Sequence, residues 1–358
     1  MFKTDSLLFF SLFILIALGL LVLWSISSQD TPSFFSLKKQ LIFLAISICA
    51  FLIFSFLDWR IFNTSSLILF LYIFSLVLLM AVLFFGDKTS GAAGWFNFGL
   101  FSFQPIEIAK LSLLIILAKY LSSRHLEIWQ FRHLLISGIF TFIPIMLIVS
   151  QPDFGGAMIL GAIWLSLVLI SGIRLKQIII LAIIFSLMAG LSWSFLLKPY
   201  QQSRILSFLE PQQDPLGAGY NREQALIAIG SGRIFGRGLG WGSQTHLRFL
   251  PLAKNDFIFA SLAESLGLFG VSILLICFLL IFYRLIIWSN TFSYNFCKLF
   301  TIGFTIKLLI ETFIHLGMNL GLLPVIGIAL PFISAGGSNL LANFIGLGII
   351  NSMILRRA

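Results

Sequence analysis

Ionisable side chains inside apolar segments are costly to bury in hydrocarbon, so they mark ligand sites, ion paths or proton relays by default. This chain of 358 residues holds few of them. Glu107 and Lys110 follow Gln104–Pro105 and stand three apart, which places both on one face at the start of a helix. They suit either a polar ligand site at an aqueous cavity or a pair that neutralises itself for insertion. Lys307, Glu311 and His315 recur at four-residue spacing, a pattern open to a proton relay or to self-neutralising pairs. Asp153, within Gln151–Pro152–Asp153–Phe154–Gly155–Gly156, either caps the helix that follows or serves the same polar site. Glu264 lies about two turns beyond Asp256 on nearly the same face and reads as a structural partner of another helix.

The elements that must position these groups are membrane helices. Hydrophobic residues make up 59% of the chain, charged residues 10%, and mean hydropathy is +1.05, a composition foreign to soluble domains. Backbone polar groups in hydrocarbon need partners within their own segment, so the expected fold is all-α. About ten segments are long enough to cross: Leu7–Ser27, Gln40–Leu57, Leu67–Phe85, Phe103–Leu121, Leu134–Ser150, Phe154–Ile170, Gln177–Leu196, Phe257–Phe282, Phe300–Leu316 and Asn339–Leu355. With Met1 cytoplasmic, the short cytoplasmic segments hold ten basic residues, among them Lys3, Arg60, Arg124, Arg284 and Arg357. The short outer ones hold only Lys38, Lys39 and Lys88, so both termini are expected inside. The net charge of +10 then reflects anchors beside anionic headgroups and calls for no nucleic acid.

One membrane domain over 1–358 is expected, with a single large hydrophilic stretch, Lys198–Asp256, as an outer loop between the seventh and eighth spans. Two shorter loops, Gly86–Ser102 and Gly321–Ser338, are apolar enough to re-enter the membrane where backbone lines a cavity. All three loops are then able to converge over one site. The first apolar run is long enough to remain as an uncleaved helix rather than a processed leader. Gly236–Arg237–Gly238–Leu239–Gly240–Trp241–Gly242 fails the dinucleotide pattern in spacing and context. Gly86–Asp87–Lys88–Thr89 lacks the upstream glycine of a phosphate loop. Four scattered histidines and three dispersed cysteines show no metal-site spacing, and no outer disulfide is available.

Several runs together resemble the SEDS family of bacterial cell-wall proteins. They are Tyr200–Gln201–Gln202–Ser203–Arg204–Ile205, Asp214–Pro215–Leu216–Gly217–Ala218–Gly219–Tyr220–Asn221 and Ala228–Ile229–Gly230–Ser231–Gly232. Phe249–Leu250–Pro251 with Asp256–Phe257–Ile258–Phe259, Pro324–Val325–Ile326–Gly327 and Leu330–Pro331–Phe332–Ile333–Ser334 match as well. So do Gln104–Pro105–Ile106–Glu107–Ile108–Ala109–Lys110 and Gln151–Pro152–Asp153. The Gly327–Ile328–Ala329–Leu330–Pro331 segment and short termini look more like the elongation branch, RodA, than the division branch, FtsW.

The resemblance implies a polytopic glycosyltransferase of the bacterial plasma membrane that polymerises lipid II into glycan strands at the outer face. It also implies a class B penicillin-binding protein and other elongation-complex membrane proteins as partners. Asp256 matches the family's essential aspartate and would be the general base; its other reading is a cap on the eighth helix. Glu107 and Lys110 match the polar pair of the family's central cavity, with Lys110 directed to pyrophosphate or to a carboxylate. Lys39, Asp153, Arg204, Arg233 and Arg237 complete the candidate substrate contacts. No redox or nucleotide cofactor is implied, while a divalent cation, magnesium or manganese, would suit the leaving group. The chain departs from the pattern at Leu252, Asn255, Gly94, Ala335 and His315, which stand where Glu, Thr, a basic residue, Tyr and Asn are usual. The same membrane charges also suit a lipid II transporter, and a scaffold that only activates its partner is a third reading.

Overall fold

The computed structural model describes residues 5–28, 34–89, 92–99, 101–124, 130–191, 202, 206, 208 and 218–356. Lys3, Arg204 and Arg357 lie outside the described residues, as do most of the motif residues in 200–205 and 214–217. Among the described residues twelve α-helices are traced: α1 (Ser6–Ser27), α2 (Phe35–Phe56), α3 (Ser65–Phe85), α4 (Pro105–Ser123), α5 (Phe131–Ser150) and α6 (Phe154–Ile170). Then come α7 (Leu175–Leu191), the loop helices α8 (Ala218–Ser231) and α9 (Ser243–His246), and α10 (Ile258–Thr291), α11 (Asn295–Asn319) and α12 (Gly337–Leu355). Seven of them, α1, α2, α3, α5, α10, α11 and α12, are long and apolar enough to cross a membrane, and α6 and α7 supply shorter apolar helices. The tenth expected span is α4, whose charges Glu107, Lys110 and Lys119 set it apart. This is a multi-pass, helical membrane protein.

The charged helix is the central one. Glu107, Lys110 and nearly all of α4's apolar side chains are buried, and α3, α5, α6, α11 and α12 pack around it. Lipid-facing helices show the opposite pattern: Phe70, Phe74, Phe84 and Phe85 of α3 are exposed because hydrocarbon, not water, is their solvent. Two helices overrun the hydropathy limits. α10 continues to Thr291 and α11 begins at Asn295, so Arg284, Cys297 and Lys298 are helical. Arg284 is tolerated there because its Nε donates to Asp5 Oδ2 at 2.7 Å, beside Trp288 Nε1 at 2.5 Å. Asp5 also caps α1 by accepting from Leu8 N–H. Burial pushes the Asp5 carboxyl up, but these donors together outweigh it and hold the group below the ordinary carboxylate range.

The loop Gly86–Ser102 is not irregular backbone. It folds as an antiparallel meander of β1 (Asp87–Thr89), β2 (Ala92–Phe98) and β3 (Phe101–Phe103), the one departure from all-α structure among the described residues. Short alternating runs such as Trp95–Phe96–Asn97 pair readily as strands, which satisfies backbone groups that a lone re-entrant loop leaves open. The segment 321–336 does run irregularly through protein. Gly321 (φ 68°) ends α11 in a Schellman turn, with Leu322 N–H on Gly317 O at 2.8 Å and Gly321 N–H on Met318 O. Leu330, Phe332, Ile333 and Ser334 are then buried against the bundle.

The glycine-rich loop after α8 has a structural task that its sequence hid. Within α10, Gly267 leaves the helical region (φ 63°, ψ −162°) and breaks the hydrogen-bond ladder. The amides so released, Leu268 and Phe269, donate to the carbonyls of Arg233 and Ile234, both at 2.9 Å. The released carbonyls, Glu264 and Ser265, accept from Arg237 and Gly238 N–H at 2.9 and 3.1 Å. Four loop groups thus replace two helical bonds. Gly236 is the hinge of this docking: its φ is +80°, and a Cβ there would lie 2.2 Å from the Ser265 carbonyl oxygen. Gly240 has the same φ of +80° with nothing within 4 Å of a Cβ. Gly240→Ala is therefore expected to lose only the left-handed penalty, about 1–2 kcal/mol. Gly236→Ala is expected to lose more and to accelerate hydrogen exchange at Leu268 and Phe269. Equal thermal destabilisation of the two variants in detergent would refute the docking role.

Candidate functional site

The site forms where the start of α4, the end of α11, the start of α10, the start of α12 and segment 321–336 meet. Its deeper part is a closed circuit of polar side chains. Lys110 Nζ donates to Glu107 Oε1 and to Glu311 Oε1, each at 2.8 Å. Lys307 Nζ pairs with Glu311 Oε2 at 3.1 Å and donates to Asn343 Oδ1 at 2.5 Å. Asn343 Nδ2 donates to Asn339 Oδ1 at 2.9 Å, and Asn339 Nδ2 returns to Glu107 Oε2 at 3.2 Å. Two cations and two carboxylates make the circuit neutral. All six side chains are buried, which only such mutual compensation permits.

This geometry adjusts the expectations for α4 and α11. Glu107 and Lys110 do share a face, but Lys110 spends its charge on two carboxylates rather than one. Lys307 and Glu311 form the expected ladder pair, whereas His315 leaves it and places Nδ1 2.7 Å from the Ile328 carbonyl. The four-residue ladder has a further rung, Asn319, at the end that reaches Asp256. From Glu311 to Asn319 is two turns, about 12 Å along the helix, so the circuit lies well below Asp256 rather than beside it.

Asp256 ends the Phe249–Asp256 segment, half-buried just before α10. Leu250, Ala253, Phe257 and Ala260 pack on Ala225 and Ala228 of α8, which presses this segment onto the bundle. A side chain at Gly327 would come within 3.6 Å of Asp256 Oδ2, so segment 321–336 walls the carboxylate on one side. The N-cap position of α10 is Phe257, without a side-chain cap bond of its own. The open Ala260 N–H is met instead by Asn319 Oδ1 at 3.2 Å. Capping here is done from α11.

Asp153 caps α6, accepting from Gly156 N–H at 2.9 Å, as its bland reading required. It also lies within electrostatic reach of the circuit. Burial pushes its carboxyl above the ordinary range, against the lowering influence of Gly156 N–H and Lys110, while Glu107 pushes the same way as burial. Lys39 donates to Ser102 Oγ at 2.9 Å. Ser338 Oγ in turn donates to Ser102 O and accepts from Gln104 N–H, so Lys39 stands at the mouth of the α4 start. Arg233 and Arg237 are exposed on the loop docked at the α10 break, with Arg237 Nε on Ser231 O; their backbone bonds to Glu264 and Leu268 lie roughly two to three turns along α10 from Asp256. Glu264 is structural, as expected: its carboxylate accepts from Gln244 and Thr245 N–H and from Thr245 Oγ1, holding the start of α9.

Asn319, Asn339 and Asn343 were missed from sequence, although two asparagines one turn apart in an apolar helix are a readable sign of a polar face. Among the described residues no three His, Cys, Asp or Glu side chains converge to hold a metal ion. What the arrangement offers is a walled carboxylate at one end of the bundle, above a buried neutral network.

The family model described as "Cell cycle protein", covering FtsW, RodA and SpoVE, matches residues 5–357. The chain is 33% identical over 353 residues to the peptidoglycan glycosyltransferase MrdB of Escherichia coli K12, covering 99% of this chain and 94% of that protein. Its fold is similar to a chain in a structure described as "Structural coordination of polymerization and crosslinking by a peptidoglycan synthase complex". There the TM-score is 0.84 at 30% identity, covering 100% of this chain and 99% of the other. The rod shape determining protein RodA of Thermus thermophilus gives a TM-score of 0.74 at 29% identity, covering 99% and 98%. With a family match across nearly its whole length and relatives aligned end to end, the chain belongs to the SEDS family of peptidoglycan glycosyltransferases.

Proposed function

We propose that this protein polymerises lipid II into glycan strands at the outer face of the bacterial plasma membrane, in the elongation role of RodA and MrdB. The observation that carries the reading is the placement of Asp256, a walled carboxylate at the bundle end where loop, α4 start and segment 321–336 converge, in a chain of this family. An acceptor sugar hydroxyl attacks the anomeric carbon of a second lipid-linked unit. One C–O bond forms, the C–O bond to the pyrophosphate breaks, and the hydroxyl proton passes to Asp256. The departing pyrophosphate carries the bonding electrons and is neutralised by cations at the membrane boundary. Lys39 at the α4 mouth and the loop bases Arg204, Arg233 and Arg237 are assigned to that task. Glu107, Lys110 and Asp153 shape the field beneath the substrate and have Glu311 and Lys307 as their support.

The bundle end bearing Asp256 faces outward, in line with the excess of basic residues in the short segments of the opposite end. A class B penicillin-binding protein is the partner that would crosslink the product, as the peptidoglycan synthase complex similar to this chain combines polymerisation with crosslinking. Purified protein with its partner, given labelled lipid II, is expected to yield glycan polymer. Movement of lipid II across vesicles without polymer would replace this reading with the carrier one. A division role would show as rescue of a septation defect and not of a rod-shape defect.

A further inference from the structure

Three consecutive carbonyls lead up to Asp256, and each accepts a hydrogen bond from a distant part of the chain. Lys254 O accepts from Ala335 N–H at 3.0 Å. Asn255 O accepts from Ser334 Oγ at 2.9 Å. Asp256 O accepts from Asn319 Nδ2 at 2.9 Å. Around them the Pro251–Phe257 stretch is a series of turns, with Leu252 in the left-handed region at φ 53°, so it draws little rigidity from a regular ladder.

The donors are themselves committed. Asn319 is fully buried, and its Nδ2 also donates to His315 O at 2.8 Å while Oδ1 accepts from Ala260 N–H. Two carbonyls on one side and an amide on the other admit only one orientation of the side-chain amide. Ser334 Oγ accepts from Leu330 N–H at 2.8 Å, which leaves its single proton for Asn255 O. The segment carrying Ser334 is fixed in turn. Its Ile328 carbonyl can only accept, so the His315 Nδ1 beside it bears the proton. Gln40 Nε2 from α2 donates to Ser334 O at 3.3 Å.

We propose that Asn319 and Ser334 are positioning residues for the reaction: they act through the backbone of residues 255–256 to hold the Asp256 carboxylate at hydrogen-bond reach of the acceptor hydroxyl. The inference rests on Asp256 being the base. A clamp on the main chain explains why α11 carries an asparagine at the last rung of a ladder whose other members are ionisable.

The test is lipid II polymerisation by full-length protein with its partner, with turnover and KM measured separately. Asn319→Ala and Ser334→Ala are expected to lower kcat by about 100-fold, the effect of displacing a reacting group by about 1 Å. KM should stay near the wild-type value, because neither side chain touches substrate. Ser334→Thr keeps the hydroxyl and is expected to restore most of the rate, and Asn319→Asp, which lacks the donor, is not. Variants that lose thermal stability while folded protein keeps its wild-type kcat would overturn the proposal. So would a rise in KM at unchanged kcat. If instead Asp256→Ala polymerises normally, it is the assignment of the base that fails. Should Asn319→Ala not fold, Ser334→Ala and its threonine counterpart decide alone.

Discussion

Asp256→Asn is expected to polymerise lipid II some 10²–10⁴-fold more slowly than the native protein, the range a positioned general base contributes. Asparagine keeps the shape of the side chain and leaves the backbone bonds at Lys254, Asn255 and Asp256 untouched, so the site remains assembled. What it lacks is basicity. A hydroxyl is a poor nucleophile near neutral pH, and without an acceptor for its proton the barrier to attack rises by about 2.7–5.5 kcal/mol, the same factor in energy. Asp256→Ala is expected to fall to a similar level. Two further readouts separate chemistry from folding. Lipid II should bind to Asp256→Asn with unaltered affinity, and thermal unfolding in detergent should be little changed, because asparagine is isosteric and the Ala260 N–H at the start of α10 is met by Asn319. The wild-type rate should fall on acidification as the carboxylate takes up its proton, and this acid limb should vanish in the asparagine variant. Full polymerisation by Asp256→Asn would remove Asp256 from the mechanism.

How far such a site is legible in sequence depends on the range of its contacts. The Glu107–Lys110 and Lys307–Glu311 pairs follow from helical spacing, because both partners lie within one turn of one helix. The Lys110–Glu311 bond joins α4 to α11 across most of the chain, and no local pattern announces it. Asn339 and Asn343 close the circuit from a third helix. Hydropathy located the apolar helices because burial in lipid acts on composition, yet it missed where α10 breaks. Gly267 is one glycine among many, and its meaning appears only when Arg233–Gly238 docks on it. For the same reason the glycine-rich run resisted a reading by motif. Its spacing invites a dinucleotide-loop reading that it fails, whereas Gly236 serves close approach to another backbone. The meander at β1–β3 was hidden by apolar composition, which strands and re-entrant loops share.

Lys110→Met is expected to destabilise the protein by about 3–5 kcal/mol, the cost of stripping the partner from a buried charge. Methionine keeps the unbranched stem, so the change creates little cavity and isolates the ammonium group. Its loss leaves Glu107 with only the Asn339 amide and Glu311 with only Lys307, and the circuit acquires a net negative charge inside the bundle. Neutrality can be restored from the other side. In Lys110→Met/Glu107→Gln the circuit again holds one cation and one carboxylate, Lys307 with Glu311, and glutamine can still meet Asn339. The double variant is therefore expected to recover much of the stability lost by the single one, a coupling well beyond the few tenths of a kcal/mol of independent sites. Unfolding midpoints of the two single variants and the double, in one detergent at one pH, measure that coupling. Additive losses would mean that the six side chains are neighbours without being a unit. Recovery of stability without recovery of polymerisation would show that the field of Lys110, and not merely its place in the packing, reaches the substrate above it.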